Sequence, residues 1–301
     1  MKALTYDTYG DPDVLHVAEV TEPHAGPGQV RIRVSAASVN PMDWKLMTGA
    51  MAGGKPLAAP VVPGFDAAGV VDEVGEGVSG VAVGDDVFGL GSGTQAELAV
   101  LDAWAAKPPS LDWSVAAAAG TAFETAERGL RLLGLHSGDT LFVDGGTGGV
   151  GAVVVQLASV LGLRVIASAG QDNQDYLREL GATPVLYGLG LVDRIRAVPG
   201  APVDAVFDVA GKTPDADLFA LVADPARVLS IANFGLAAGG GLVTGSDPDE
   251  RRPFEALSGA AQVLAHSQVV IQTQTFPLER AAEAYRASQA GHVRGKLVLL
   301  P

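Results

Sequence analysis

Apolar and polar positions change their rhythm along this chain. Through the first hundred residues the rhythm is short. Val30-Arg31-Ile32-Arg33-Val34 alternates apolar and basic side chains, as a half-buried strand does. Residues 69–74, 83–89 and 96–100 read as further strands, separated by glycine, proline and aspartate, and residues 1–6 as a strand start. Many short strands joined by glycine turns predict a barrel-like β domain. At Leu111 the rhythm lengthens. Residues 114–133 are rich in alanine, end in Leu130, Leu132 and Leu133, and predict a helix that Asp112 or Ser114 caps. From Thr140 strand and helix patterns alternate. Strands are expected at 140–143, 164–167, 184–186, 205–209, 227–231 and 241–243, with helices at 173–180 and 215–222. Such alternation predicts a doubly wound parallel sheet. Residues 269–275 return to β character, followed by a helix at 278–290 and a last strand at Lys296–Leu300. We read these as rejoining the first domain. Residues 1–112, completed by 267–301, then form the β domain, and 113–266 an inserted α/β domain.

The junction of the first parallel strand with its helix carries the clearest chemistry. The run Asp144-Gly145-Gly146-Thr147-Gly148-Gly149-Val150-Gly151 stops an apolar strand and opens an apolar helix. Gly146, Gly148 and Gly151 give the G-x-G-x-x-G spacing of a dinucleotide loop in its required strand–turn–helix setting. In that pattern Gly146 permits the tight turn, Gly148 lets main-chain N–H groups approach a diphosphate, and Gly151 lets the helix pack closely on the strand. The helix N-terminus then faces the anion. The alternative is a glycine-rich turn that serves packing alone. Three further residues are candidate cofactor contacts. Ser168 lies near the end of the second strand, and Asn233 and Phe234 follow a later strand, where such folds place a loop over the nicotinamide.

Composition narrows the partners. A chain of 301 residues with 48% apolar and 18% charged side chains is a compact globular protein of two domains. Its formal charge of −14 disfavours a nucleic-acid partner, because phosphate backbones are repelled. The absence of cysteine excludes disulfides and cysteine-ligated zinc, and the five histidines lack metal-ligand spacing. No signal peptide and no membrane-spanning apolar run is evident, so a cytoplasmic location is expected.

Several motifs fall in one order. They are Ser38-Val39-Asn40-Pro41-Met42-Asp43-Trp44-Lys45, Pro63-Gly64-Phe65-Asp66-Ala67-Ala68-Gly69-Val70-Val71, Gly84-Asp85-Asp86-Val87-Phe88-Gly89, Gly120-Thr121-Ala122-Phe123, the glycine loop, Glu179-Leu180-Gly181-Ala182, residues 276–284 and residues 291–299. Together they resemble the zinc-free quinone oxidoreductase branch of the medium-chain dehydrogenase/reductase superfamily, over nearly the whole chain. The resemblance implies a GroES-like β-barrel domain, an inserted Rossmann domain and a cleft between them. It also implies NADPH as cofactor, reduction of a small-molecule quinone or activated alkene, and a homodimer. Where the zinc-dependent cousins carry their ligands, this chain has Asn40 and Asp43, and their Gly-His-Glu motif reads Gly64-Phe65-Asp66.

Hydride transfer asks little acid–base work of a protein. It asks for alignment, exclusion of water and a donor for the developing oxyanion. The resemblance puts Asn40 and Thr121 near the nicotinamide as catalytic residues. Asn40 is otherwise a turn residue before Pro41, and Thr121 a helix-start hydroxyl. Trp44, Met47, Phe65 and Phe123 are candidates for an apolar substrate wall, with Met51 beside them, and core packing is an equal alternative for each. Asp66 reads as structural; Lys296, in Gly-Lys-x-Val, is left without a role. The run 164–170, at the end of the second strand, lacks the acid that grips an NAD ribose, which favours NADPH over NADH. Arg178 or Arg194 would have to supply the cation for its phosphate. Two other functions stay open: an enoyl-reductase-like tailoring enzyme of a natural-product pathway, and a nucleotide-binding protein with little turnover.

Overall fold

A computed structural model describes every residue of the chain except 201, 246 and 247. Its strands are β1 (Lys2–Thr5), β2 (His16–Glu19), β3 (Val30–Val39), β4 (Asp66–Val74), β5 (Asp86–Ser92), β6 (Leu98–Ala106), β7 (Thr140–Asp144), β8 (Arg164–Ala169), β9 (Thr183–Leu186), β10 (Ala205–Asp208), β11 (Val228–Ser230), β12 (Leu242–Val243), β13 (Thr273–Pro277) and β14 (Lys296–Leu300). Its helices are α1 (Pro41–Met47), α2 (Trp113–Leu133), α3 (Gly149–Val160), α4 (Gln174–Glu179), α5 (Leu191–Arg196), α6 (Asp215–Phe219), α7 (Pro253–Ala265) and α8 (Ala281–Ala290). The chain forms two compact units. The first comprises Met1–Thr121, Pro253–Ser267 and Ile271–Pro301; the second comprises Ala122–Arg252 and Gln268–Val270.

In the first unit β3, β4, β5 and β6 pair antiparallel in sequence, and β6 returns to pair with β3, so the sheet closes. The alternation at 30–34 has its expected consequence. Val30 and Ile32 are buried in a cluster with Val71, Val87, Ala99 and Leu101. Arg31 points the other way and pairs with Asp72 at 2.9 Å. The C-terminal β14 pairs with the far half of β3, at Ala37–Val39, and β13 runs parallel to it. The chain's last elements therefore belong to this unit. So does α7, which the sequence reading placed in the inserted domain: Phe254 meets Trp104 of β6 edge-on, with centroids 5.4 Å apart. The boundary correspondingly falls inside α2, after Thr121.

The second unit is a six-stranded parallel sheet in the order β12-β11-β10-β7-β8-β9. Strand order reverses at β7, so the glycine loop at its carboxyl end lies at the switch point where such sheets take ligands. Phe142, Ile166, Val206 and Val228 fill its core. The strand expected over 269–275 begins only at Thr273. Residues 268–270 are held by a side chain instead: Gln156 of α3 accepts from the Val270 N–H at 2.8 Å and donates to its carbonyl at 2.9 Å. Among the described residues no helix is long and apolar enough to cross a membrane.

Candidate active site

The glycine loop has the geometry of an anion cradle. Helix α3 starts with Gly148 as N-cap, and no side chain caps it. Its first helical hydrogen bond runs from Ala152 N–H to Gly148 C=O, so the N–H groups of Gly149, Val150 and Gly151 precede the ladder. They supply donors and the positive end of the helix dipole. A Cβ built on Gly148 meets nothing within 4 Å, leaving room in front of those groups. Gly145, Gly146 and Gly151 are needed by the protein itself. A Cβ on Gly151 would lie 2.1 Å from the Gly145 carbonyl oxygen, as close helix–strand packing requires. The turn's conformational demand falls on Gly145, at φ +90°, and not on Gly146 as the spacing suggested. Gly146 is required because a Cβ there would press on Ala167 at 2.8 Å and Leu177 at 2.9 Å. Thr147 and Val150 lie half-buried on the same loop.

Ser168 has a different task from the cofactor contact expected of it. It is buried, accepts from the Gly145 N–H at 2.9 Å and donates to Asp144 at 2.5 Å. The hydroxyl is consumed in fixing the loop. At the end of β11, on the other side of β7, Ser230 does the same for the loop that follows it. It donates to Asp208 at 2.7 Å and accepts from the N–H groups of Ala232 and Asn233. Burial raises the pKa of Asp208, with the neighbouring Asp144 charge adding to it, against the opposing effect of the Ser230 and Gly211 hydrogen bonds. The side chain of Asn233 also shapes its own loop, accepting from Gly235 N–H and donating to Asp215. Its neighbour Phe234 is exposed.

The first unit holds a buried polar cluster at the junction of β3 and α1. Pro41 opens α1, Asn40 is its N-cap, and the Asp43 carboxylate reaches back to the Asn40 N–H at 2.7 Å. The Asn40 side chain is only 4% exposed. Its amide donates to Asp66 at 2.7 Å and to Ser38 at 3.3 Å, and its oxygen accepts from the Lys296 ammonium at 2.5 Å. Asp66 also accepts from the Ser38 hydroxyl and from the Thr121 backbone N–H. Gln95 bridges Asp43 to the Tyr285 hydroxyl. Burial pushes Asp43 up to about 7, with Asp66 adding to the rise and the Asn40 and Lys296 interactions opposing it. Tyr285 is likewise raised by burial and by the charge of Asp43. The Thr121 hydroxyl is buried without a hydrogen-bond partner. The reading from sequence named Asn40 and Thr121 but gave Lys296 no role and treated Asp66 as structural. The Gly-Lys-x-Val motif was the available signal for Lys296.

The apolar wall is partly corrected. Met47 is fully buried among Leu4, Tyr6, Leu278 and Tyr285, as a core residue on the inner face of α1. Phe123 is buried as well. Trp44 and Phe65 are half-buried. The Trp44 indole N–H donates to Ser288 at 3.2 Å. Met51 is exposed.

A closed antiparallel barrel with a six-stranded parallel sheet and a bare glycine loop defines a dinucleotide-dependent oxidoreductase of the two-unit type. The chain belongs to the zinc-free quinone oxidoreductase branch of the medium-chain dehydrogenase/reductase superfamily. Residues 26–109 match the alcohol dehydrogenase GroES-like domain family, and residues 149–240 the zinc-binding dehydrogenase family. It is 32% identical to the NADPH-dependent alkenal/one oxidoreductase of Arabidopsis thaliana, over all of this chain and 80% of that protein. The solved quinone oxidoreductase of Coxiella burnetii is similar over 100% of this chain and 99% of that one, with 28% identity and a TM-score of 0.87. A mycobacterial protein solved with NADPH is 26% identical and similar at a TM-score of 0.83, over all of both chains. Among the described residues no group of three or more His, Cys, Asp or Glu is placed to hold a metal.

Proposed function

We propose that this chain transfers a hydride from NADPH to a quinone or to the β-carbon of an α,β-unsaturated carbonyl, without zinc. The observation that carries the proposal is the open cradle at Gly148, with three main-chain donors ahead of α3 at the switch point of the sheet. Those donors would hold the diphosphate. When bound, the nicotinamide supplies the hydride; the chain's own side chains align and polarise the acceptor. Thr121 is the residue we assign to donate a hydrogen bond, since its hydroxyl has no other partner. Asn40 has both N–H groups engaged and retains a lone pair on Oδ1, so its part is to accept. Trp44 and Phe65 remain candidates for contact with an apolar substrate.

NADPH is favoured over NADH by the lack of an acid at the end of β8 and by the NADPH-dependent Arabidopsis relative. The two arginines that could supply a cation for the phosphate, Arg178 and Arg194, are engaged elsewhere. Arg178 pairs with Asp175, and Arg194 donates to the carbonyls of residues 186 to 189. The half-exposed phenol of Tyr187 stands beside Gly170, just past β8, and is the neutral donor we assign to the ribose phosphate.

The test is steady-state consumption of NADPH with a panel of quinones, alkenals and enoyl thioesters. Saturable consumption with one class supports the reading and names the substrate class. Tight NADPH binding without consumption across the panel would instead favour a cofactor-binding protein.

A further inference from the structure

Both residues assigned to the reacting end are held by one carboxylate. Asp66, fully buried at the start of β4, takes the Ser38 hydroxyl at 2.6 Å and the Asn40 amide at 2.7 Å on Oδ1. On Oδ2 it takes the backbone N–H of Thr121 at 2.8 Å. That last bond reaches into the middle of α2, and Gly120 permits it. A Cβ on Gly120 would lie 2.7 Å from the Asp66 Cβ. A glycine inside a helix weakens the helix, and here the approach of the carboxylate accounts for it.

Lys296, at the start of β14, completes the arrangement. Its buried ammonium donates to Asn40 Oδ1 at 2.5 Å and lies 3.9 Å from Asp66 Oδ2. It balances the carboxylate and decides which way the Asn40 amide faces. The oxygen must meet the ammonium, and the N–H groups must meet Asp66 and Ser38. A buried ion pair is weak evidence for stability, because desolvation offsets the attraction. Fixed geometry is what this pair supplies.

We infer that Asp66 and Lys296 are positioning residues, which aim the unbonded Thr121 hydroxyl and the remaining lone pair of Asn40 at the reacting end. The inference rests on the reductase reading above. Hydride transfer is sensitive to displacement of aligning groups, and the Thr121 hydroxyl moves with the peptide that Asp66 holds.

Two variants test this: the double variant D66N/K296M, which removes both charges together and leaves neither buried alone, and G120A, which crowds Asp66 away from Thr121 with a residue that favours helix. For each, kcat, KM, NADPH affinity, melting temperature and amide hydrogen exchange of cofactor-free protein are measured. We expect kcat to fall roughly tenfold or more, NADPH affinity to hold, and exchange at Thr121 to quicken more than along the rest of α2. Wild-type kcat in the folded double variant overturns the inference. Where the double variant does not fold, wild-type kcat in G120A does so. A lowered melting temperature with unchanged kcat per folded molecule makes the pair merely structural and equally overturns it. A wild-type protein that never consumes NADPH refutes the reductase reading before any substitution is made, and this inference with it.

Discussion

Asp43 is fully buried, with Oδ2 accepting from the Asn40 N–H and from Gln95 while Oδ1 has no partner. Burial raises its pKa from 3.8 to about 7. The folded state therefore holds this proton to higher pH than the unfolded state does. The associated stability is fully present below the unfolded pKa and is lost as pH rises through about 7. Within that window the slope approaches ~1.4 kcal/mol per pH unit for one group. Asp43→Asn keeps an oxygen for the Asn40 N–H and has no proton to lose. We expect its denaturant midpoint to fall less than that of the wild type between acid and mildly alkaline buffer; equal slopes would remove Asp43 as the cause. Thr121→Val tests the hydroxyl that lacks a partner. Loss of one such donor typically lowers kcat about 100-fold, and NADPH affinity should barely change. An unaltered kcat would make Thr121 a packing residue.

The loop between β7 and α3 holds glycines that the fold requires and one, Gly148, that it does not. Gly151 has no space: a Cβ meets the Gly145 carbonyl oxygen at 2.1 Å. Gly148 has open space and ordinary extended dihedrals, φ −75° and ψ 177°. Gly151→Val should destabilise the second unit, seen as a lowered melting temperature. Gly148→Val should melt like the wild type yet lose NADPH binding, because the branched side chain fills the cradle. NADPH affinity undiminished by Gly148→Val would mean that the diphosphate lies elsewhere. At the neighbouring strand end, Tyr187→Phe should weaken NADPH and leave NADH binding alone, as titrations of both would reveal. Equal effects on the two would remove Tyr187 from the phosphate.

Across the molecule, legibility followed how locally each feature is encoded. The barrel strands and the parallel sheet were readable because burial on one or both faces leaves a period in the sequence itself. The glycine loop was readable because its chemistry fixes glycine at short offsets. Helices α1, α4, α5 and α6 span at most two turns, too few to fix by their own period; α4 and α6 are expected only from the alternation of strand and helix. The Asp66–Lys296–Asn40 arrangement was hidden for another reason. Lys296 is 256 residues from Asn40, and only the pairing of β14 with β3 brings them together. Ser168 was placed at the correct strand end, but strand position alone does not reveal that its hydroxyl turns inward to Gly145 and Asp144. The resemblance further implies a homodimer; light scattering should return twice the chain mass, and a single-chain mass would contradict it. Labelled cofactor reads the transfer of hydride directly. NADPH deuterated at C4, one epimer at a time, is turned over with an α,β-unsaturated carbonyl and the product is weighed by mass spectrometry. One epimer should leave one deuterium on the β-carbon and the other none; unreduced substrate, or product unlabelled from both, would contradict hydride transfer by this chain.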